Sequence, residues 1–278
     1  MTKINNIVIF TIDSLYSNII LDKLSHSFGH KISLICISDR YKGKHGSFFH
    51  QLKKNLTDSG MHFVNYLSIV FIYYKFLVII FNWLNKIISP DKNIKTIKQI
   101  AKINNISILK TEDINKKEVE EIIKKNNPDL IISVYFDQLI KDNIFSIPKY
   151  QTINLHPALL PDYKGPFPTF WALKNNEKKF GLTVHYVDKL YDTGDVILRK
   201  EIDVGNPKSV LGLDYKIFSR SAEFIKEVID KIENEKVESF PQKSKGSYYS
   251  FPKKNDVKEM KKSKIKLFTV KEFIRYFI

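Results

Sequence analysis

This chain of 278 residues has one cysteine, Cys36, and its seven histidines are scattered along the sequence. A single cysteine excludes an internal disulfide. Because Cys36 lies in the strand-like apolar run 32–37, we expect it to be a core residue. No cysteines and histidines have the spacing of a zinc site, so the sequence predicts no metal cofactor.

Arginine is also scarce, with only four among the 45 basic residues, although the formal net charge is +15. Arginine is the side chain that pairs best in bidentate fashion with phosphates and guanine edges. The lysines are spread along the chain among many asparagines and isoleucines. The composition therefore disfavours a dedicated nucleic-acid surface and predicts a general attraction to anionic small molecules or anionic lipids.

The first ten residues lack the length and the cleavage site of a signal peptide, and residues 7–10 read better as a first strand. We therefore expect a cytoplasmic protein. The chain has room for one large α/β domain and a short basic extension, which we place at residues 1–233 and 234–278.

Strand-like apolar runs alternate with helical periodicity, which predicts a doubly wound α/β fold around a mostly parallel, twisted sheet. Residues 130–134 are nearly all apolar, as expected of a parallel strand that is buried on both faces. The predicted strands are residues 7–10, 31–38, 106–109, 130–134 and 152–155, followed by a hairpin of 182–187 with 196–204. The predicted helices are residues 14–27, 92–102, 116–125, 169–173 and 207–233.

An amide, an imidazole and a carboxylate occur in two short motifs that suit acyl transfer. Asn154 and His156 are two residues apart on a predicted strand, so their side chains point to the same side. Pro157 and Pro161 end that strand and stiffen the following loop, and Asp192 lies further along in a Tyr-Asp-Thr-Gly-Asp run. Alone, an Asn-x-His on a strand is usually structural and an Asp-x-Gly is usually a turn. The catalytic interpretation therefore depends on the segment around them.

Residues 128–200 resemble the folate-dependent formyltransferases in both the order and the spacing of their motifs. The matching segments are residues 128–132, 154–161, 162–168, 181–188 and 192–197. The resemblance implies a formyltransferase fold, 10-formyltetrahydrofolate as formyl donor, a primary amine as acceptor, and Asn154, His156 and Asp192 as the catalytic set. One departure is Ala158, where the family often has serine, and a loop hydrogen bond is expected to be absent there.

Formyl transfer to an amine passes through a tetrahedral adduct that carries an oxyanion. A preorganised donor aimed at that oxygen contributes roughly 3–4 kcal/mol, and Asn154 suits this role because its amide donates without titrating. His156 either stabilises the same oxygen or relays a proton, since an imidazole titrates near neutral pH. Asp192 either orients and charge-stabilises His156 or accepts the proton that the incoming amine releases. The sequence leaves this division open.

The position of each residue in the family motif implies two further sets of contacts. The folate pocket is implied to include Phe136, Gln138, Leu139, Ile140, Val187 and Asp188. Leu139 and Ile140 are equally consistent with plain core residues. The acceptor side is implied to include Tyr163, Lys164 and Gly165. We interpret His185, on an apolar strand, as a structural histidine rather than a ligand.

Residues 60–90 contain an apolar helical insertion that is unlike the common members of the family. A polar seam with a spacing of seven residues runs along it, formed by Ser68, Lys75, Asn82 and Ser89. Lys75 and Asn82 disfavour a transmembrane span. We expect the insertion to be buried in the domain, to form a dimer interface, or to lie along a membrane surface. Basic residues flank it at 40–44 and 91–98, as in a peripheral protein at the inner face of a membrane.

The extension after residue 233 helps to choose the acceptor. Methionyl-tRNA formyltransferases have a C-terminal β-barrel domain for tRNA, and about 45 residues are too few for one. Glycinamide ribonucleotide formyltransferases end near the closing helix and lack the apolar insertion. By exclusion we favour a nucleotide- or lipid-linked amino sugar, with those two enzymes as alternatives. Two non-enzymatic interpretations are also open. One is a catalytically silent relative that binds a folate or sugar ligand, and the other is a membrane-recruited scaffold. Tyr248 and Tyr249 are suited to stacking on a sugar or a base, but we favour a packed tail for both.

Overall fold

The computed structural model describes residues 3–39, 46–88 and 95–277. Within these residues seven strands form one sheet. Each strand overlaps a strand that the sequence predicts. The strands are β1 (Ile7–Ile12), β2 (Ile32–Ser38), β3 (Ser107–Thr111), β4 (Leu130–Val134), β5 (Thr152–His156), β6 (Gly181–Tyr186) and β7 (Val196–Glu201).

The strand order in the sheet is β3-β2-β1-β4-β5-β6-β7. The first five strands are parallel to one another, and the hairpin of β6 and β7 is antiparallel. From β1 the chain moves outward first toward β3 and then, in the opposite direction, toward β7. This topology confirms the predicted doubly wound, mostly parallel sheet, in which ligands collect beyond the carboxyl ends of the strands.

Helices cover both faces of the sheet. They are α1 (Leu15–Phe28), α2 (Phe48–Asp58), α3 (Met61–Ser68), α4 (Tyr74–Ile88), α5 (Ile97–Ile103), α6 (Lys117–Asn126), α7 (Asp142–Phe145), α8 (Pro168–Lys174), α9 (Val210–Phe218), α10 (Ser221–Glu233), α11 (Lys254–Lys262) and α12 (Val270–Phe277). A 3-10 turn follows α1, and a π-helical turn, Ile69–Tyr73, joins α3 to α4.

Two predicted helices differ from those in the structure, and α2, α7, α11 and α12 have no predicted counterpart. The predicted helix 92–102 begins only at Ile97, because the side chain of Thr96 caps it there, and the start of that segment lies outside the described residues. The predicted helix 207–233 is two helices, α9 and α10. At the break, the Ser219 hydroxyl donates to a backbone carbonyl of the preceding turn, an interaction that competes with helix continuation. The apolar periodicity continues across the break and therefore does not show it.

Strand alternation divides the core into two layers. Ile7 and Ile9 of β1 point into the larger layer, with α1, α8, α9 and α10, whereas Val8 and Phe10 point into the smaller layer, with α6 and α7. All four are fully buried, which explains why this strand is an unbroken apolar run. Cys36 is buried in the smaller layer, as predicted, and burial raises the pKa of its thiol to about 12.

The insertion consists of α3, the π-helical turn and α4, and it is buried on one side only. The buried side packs into the larger core layer through Phe63, Tyr66, Val70, Tyr74 and Val78. The other side, which we call the apolar face, is more than half exposed at Tyr73, Phe76, Ile79, Ile80 and Trp83. Among the described residues, Met61–Asn85 is the one helical stretch that is long and apolar enough to cross a membrane. Its buried side nevertheless belongs to the core of the domain.

The polar seam of the insertion contacts the body of the domain. Lys75 forms an ion pair with Asp13 at 2.7 Å. Ser68 and Asn82 are half-buried. Outside the described residues lie Ser89 and the flanking basic residues 40–44 and 91–94. The ion pair holds the Lys75 ammonium against the domain, although about half of the side chain, 49%, stays exposed.

The extension after residue 233 packs onto the domain. Phe240 exchanges two backbone hydrogen bonds, of 2.9 and 3.0 Å, with Val196 of β7. Val257, Met260 and Leu267 are buried in the larger core layer. The described part of the extension therefore shares the core of the domain.

Candidate active site

Asn154 and His156 lie at the carboxyl end of β5, and Asp192 lies in the loop between β6 and β7. The Oδ1 atom of Asp192 is 3.4 Å from His156 Nδ1 and 3.5 Å from Asn154 Nδ2. The structure thus brings the three residues of the predicted catalytic set together around one carboxylate oxygen.

The imidazole of His156 is held between two hydrogen-bond acceptors. Its Nε2 lies 2.8 Å from the carbonyl oxygen of Tyr163, and because a carbonyl can only accept, Nε2 must carry a proton. Its Nδ1 faces the Asp192 carboxylate. Both neighbours favour a doubly protonated ring, yet burial lowers the pKa of His156 below its usual value, against the opposing attraction of Asp192. The ring is therefore placed to exchange a proton when charge develops beside it.

Asp192 is a buried carboxylate that stays ionised. Burial by itself raises its pKa, but the nearby rings of His156 and His185 and the hydrogen bond from the Gly165 N–H outweigh that effect. The pKa of Asp192 therefore lies well below its usual range. The Gly165 N–H donates to Oδ2 at 2.8 Å, so the oxygen that is not shared with His156 also has a donor.

His185 is a hydrogen-bonded structural histidine, as interpreted from the sequence, and it also contacts the catalytic cluster, which the sequence analysis did not predict. Its Nδ1 donates to the Tyr186 carbonyl oxygen at 2.7 Å, so its Nε2 accepts from Asn154 Nδ2 at 3.1 Å and orients that amide. In the antiparallel pairing of β5 with β6, His185 lies directly opposite Asn154. The register of that pairing is the signal that identifies His185, and the sequence alone does not specify it. Within the described part of the chain, no cluster of His, Cys, Asp and Glu could hold a metal ion.

A cavity of ≈ 340 Å³ opens at this end of the sheet, and all three catalytic candidates line it. Its volume is in the range of small-molecule sites. Its charged lining consists of three aspartates, and the described residues around it include no lysine or arginine. Aromatic side chains form most of the remaining surface, namely Phe71, Tyr135, Phe136, Phe167, Tyr191, Phe218, Tyr248 and Phe251.

Three non-glycine residues that line the cavity have a left-handed backbone. The φ angle is 48° at Tyr135, 57° at Phe167 and 56° at Asp192. Each such conformation costs roughly 1–3 kcal/mol and persists only where the surrounding structure enforces it. Backbone strain of this kind is frequent at functional sites.

Of the six residues implied for the folate pocket, only Phe136 lines the cavity. Gln138 is buried, and its side chain serves the fold: it accepts from the Ile114 N–H at 2.6 Å and donates to the Ser38 hydroxyl at 2.8 Å. Ile140 is buried in the smaller core layer, which is the alternative that the sequence left open for it. The structure does not bring these two side chains to the cavity surface.

Leu139, Val187 and Asp188 also lie outside the cavity lining. The Leu139 carbonyl is a hydrogen-bond acceptor within the fold, and Val187 packs against the smaller core layer. The Asp188 carboxylate accepts from the Thr193 hydroxyl at 2.7 Å. Asp188 therefore orders the loop that carries Asp192.

Of the three residues implied for the acceptor side, only Gly165 lines the cavity. The ring of Tyr163 stacks on Tyr249 with 5.3 Å between the ring centroids. Lys164 is buried, and its ammonium donates to the Lys245 carbonyl oxygen at 3.2 Å. Tyr163 and Lys164 therefore anchor the C-terminal extension, and Tyr163 reaches the site only through its backbone carbonyl.

The C-terminal extension contributes part of the cavity surface. Tyr249 is packed, as predicted, because it stacks between Trp171 and Tyr163. Tyr248 was expected in the same packed tail, but it lines the cavity and is 60% exposed. Phe251 also lines the cavity. The prediction for Tyr248 is wrong, because the short pairing of the extension beside Lys164 turns alternate side chains toward and away from the domain.

A buried carboxyl group, Asp214 of α9, also lines the cavity, and no motif in the sequence indicates it. It is 4% exposed, and its Oδ2 accepts from the hydroxyl of Tyr66 at 2.9 Å. Burial raises the pKa of Asp214 to about 6, against the opposing hydrogen bonds from Thr169, Tyr66 and Tyr16. This network connects the insertion to the body of the domain at the cavity.

Comparison with known proteins identifies the family. Residues 84–238, more than half of the chain, match the sequence model of the family described as formyl transferase. The methionyl-tRNA formyltransferase of Acetivibrio thermocellus is 32% identical over 154 residues, which are 55% of this chain and 50% of that protein. The chain spans about half the length of the curated relatives that it matches.

Solved structures share the fold at low sequence identity. The 4-N-formyltransferase from Francisella tularensis has a TM-score of 0.55 and 20% identity, over 98% of this chain and 86% of that one. The N-formyltransferase from Helicobacter canadensis, solved with folinic acid and dTDP-3-aminofucose, has a TM-score of 0.52 and 17% identity, over 98% and 82%. These similarities confirm the predicted formyltransferase fold.

Proposed function

Since this chain belongs to the formyl transferase family, we propose that it is a folate-dependent N-formyltransferase that moves a formyl group from 10-formyltetrahydrofolate to a primary amine. The observation that carries the proposal is the meeting of Asn154, His156 and Asp192 within 3.5 Å at one cavity. A neutral amide donor, a titratable ring and an ionised carboxylate are groups suited to acyl transfer to an amine.

In the proposed step, the amine nitrogen attacks the formyl carbon, and the carbonyl oxygen becomes an oxyanion. The bond between that carbon and N10 of tetrahydrofolate then breaks, and the proton that leaves the amine ends on N10. Asn154 is suited to stabilise the oxyanion because its hydrogen bond to Asp192 is long, at 3.5 Å, and leaves that N–H available. Such a donor contributes roughly 3–4 kcal/mol.

The electrostatics of the cluster favour one division of the proton work. Asp192 has a strongly lowered pKa and is therefore a weak base. It is better suited to hold His156 and to stabilise its protonated form than to accept the proton of the amine. We therefore assign the proton relay to His156 and the charge stabilisation to Asp192.

The proposed donor is supported by the aromatic surface of the cavity. Phe136 and Tyr191 line the same cavity as Asp192 and offer apolar surface to a flat, bicyclic ring. The related protein from Helicobacter canadensis was solved with folinic acid, a formylated tetrahydrofolate. Both observations are consistent with a reduced folate that enters beside the catalytic set.

An amino sugar is the acceptor that we favour. The described cavity lining has three aspartates and no lysine or arginine, so it favours the amine and the hydroxyl groups of an acceptor over its phosphates. The Helicobacter canadensis protein was solved with a nucleotide-linked amino sugar, dTDP-3-aminofucose. Methionyl-tRNA is the second candidate, because the relatives matched by sequence are methionyl-tRNA formyltransferases.

The acceptor class is tested by supplying 10-formyltetrahydrofolate with dTDP-3-aminofucose, glycinamide ribonucleotide or methionyl-tRNA and measuring tetrahydrofolate release. Release that depends on the amino sugar is the expected result. Release that depends only on methionyl-tRNA would overturn the amino-sugar proposal and leave formyl transfer intact. Absence of both release and folinic acid binding would favour a catalytically silent relative.

We also propose that the apolar face of the insertion rests on an anionic membrane surface, at the inner face of the membrane. Trp83 and Tyr73 lie near its two ends with Phe76, Ile79 and Ile80 between them, as in helices that lie at a membrane interface. Residues 40–98 contain ten lysines and arginines against two aspartates and no glutamate, which is complementary to anionic headgroups. Phe71 of the same insertion lines the cavity, so the surface is close in sequence to the site.

Replacing both Phe76 and Trp83 with serine is expected to weaken flotation with phosphatidylglycerol vesicles by at least about tenfold, because two aromatic anchors are lost. The core side of the helix is untouched, so thermal unfolding should not change. Ile103→Ser is the matched control, since Ile103 is 64% exposed on α5, away from the insertion. A wild-type protein that does not float would contradict the proposal. A dimer that the double variant dissociates would assign the face to a second copy of the chain.

A further inference from the structure

We propose that Asp214 recognises the sugar of the acceptor: its carboxylate accepts hydrogen bonds from sugar hydroxyl groups, while the rings of Tyr135 and Phe218 pack against the sugar ring. This inference rests on the proposed function and deepens it by naming the acceptor subsite. The proposed subsite is the part of the cavity lined by Asp214, Tyr135 and Phe218, none of which belongs to the catalytic set.

Asp214 retains acceptor capacity at the cavity. An ionised carboxylate offers about four lone-pair positions. The Tyr66 hydroxyl donates to its Oδ2 at 2.9 Å, and interactions with the Thr169 and Tyr16 hydroxyls also lower its pKa. Asp214 lines the cavity although only 4% of its surface is exposed, so a ligand in the cavity lies next to this residue.

The protonation state of Asp214 suits this role. Burial raises its pKa to about 6, against the effect of these three hydroxyls, so the group is mainly ionised at neutral pH. Hydrogen bonds to an ionised acceptor are stronger than those between neutral groups. Since the lining described around it has no lysine or arginine, a hydroxyl-rich neutral ring satisfies Asp214 better than a second anion does.

The aromatic surface beside Asp214 is rigid. Tyr135 contacts Phe218 edge to face at 5.5 Å and stacks beside Phe71 at 6.3 Å. Asp214 and Phe218 are four residues apart on α9, so their side chains lie on the same face of that helix. A carboxylate next to fixed aromatic rings offers a sugar both hydrogen bonds for its hydroxyls and apolar surface for its C–H face.

A purely structural role for Asp214 is the competing explanation. The hydroxyl network connects α1, α3, α8 and α9, so it also holds the insertion in place. Tyr66 supports this network from α3 and does not line the cavity. Substitutions at Tyr66 and at Asp214 therefore separate the two roles.

The test is calorimetric titration of wild type and Asp214→Asn with dTDP-3-aminofucose, dTDP and folinic acid. We expect wild type to bind the sugar nucleotide more tightly than dTDP. We expect Asp214→Asn to lose at least about tenfold of affinity for the sugar nucleotide alone, because a charged hydrogen-bond acceptor is removed from the sugar. Affinities for dTDP and folinic acid should stay within about twofold, since neither ligand presents a sugar hydroxyl to this subsite.

Two further variants keep the test decisive. Tyr66→Phe should lower the melting temperature but keep affinity for the sugar nucleotide within about threefold. Phe218→Leu, which removes a ring that is proposed to pack against the sugar, covers the case in which Asp214→Asn does not fold, and it should weaken sugar binding selectively. Equal loss of all three ligands in Asp214→Asn, or no preference of wild type for the sugar nucleotide over dTDP, would overturn the inference. Sugar-nucleotide binding without formyl transfer would overturn the proposed function and leave the subsite standing.

Discussion

Replacing Asn154, His156 or Asp192 with alanine is expected to lower the turnover number by at least about a hundredfold while the protein remains folded. Asn154→Ala removes the donor that is available to the oxyanion. His156→Ala removes the proton relay, and Asp192→Ala removes the carboxylate that contacts both other side chains. Because the three residues contact one another, the losses in a double variant should be far from additive. Tetrahydrofolate release at saturating substrates measures the effect.

A matched control distinguishes catalysis from general damage. His26 lies exposed on α1, so His26→Ala should keep wild-type turnover. Circular dichroism and thermal unfolding establish that each variant is folded. Turnover close to that of wild type in any of the three cavity variants would refute the assignment of that residue.

Gly165→Ala is expected to lower turnover by about tenfold to a hundredfold, although the substituted side chain carries no chemistry. Gly165 has a φ of 90°, which side chains rarely tolerate, and its N–H donates to Asp192 at 2.8 Å. An added Cβ would overlap the Tyr249 carbonyl oxygen and lie 3.1 Å from the ring of Tyr248. The backbone must therefore shift, and the donor that holds Asp192 shifts with it. Single-turnover kinetics detects the loss.

Gly205→Ala is the control for this prediction. Gly205 also has a left-handed φ, of 57°, but an added Cβ would meet only the flexible ammonium of Lys216, at 3.7 Å. The variant should cost roughly 1 kcal/mol of stability through backbone strain and leave turnover unchanged. If Gly165→Ala keeps wild-type turnover, as Gly205→Ala should, then the backbone at Gly165 does not position Asp192.

The sequence predicts the sheet well because its central strands are short, unbroken apolar runs. Leu130–Val134 is buried throughout. A run of five apolar or small residues between turn signals is typical of a parallel strand that is buried on both faces. The break between α9 and α10 was not predictable in the same way, since it depends on a local hydroxyl contact at Ser219. The exposure of the apolar face was not predictable either. The insertion is apolar on most of its surface, so its composition does not show which side of the helix packs against the domain.

The catalytic set was predictable because strand alternation places Asn154 beside His156, and the family motif supplies Asp192. His185 was not, because its contact with Asn154 depends on the register of β6 against β5. Most of the cavity surface comes from distant parts of the chain, such as Phe71, Asp214 and Tyr248. Tertiary packing brings those side chains together, and local sequence patterns do not predict such long-range contacts.

The most direct test of formyl transfer at this site follows a ¹³C-labelled formyl group from 10-formyltetrahydrofolate to dTDP-3-aminofucose by mass spectrometry, in wild type and in His156→Ala. The expected result is an N-formylated product with one labelled carbon in wild type, and little or none in the variant. Label that reaches the amine equally fast in both proteins would contradict transfer of the formyl group by this cluster, whereas label that stays on the folate in wild type would contradict this amino sugar as the acceptor.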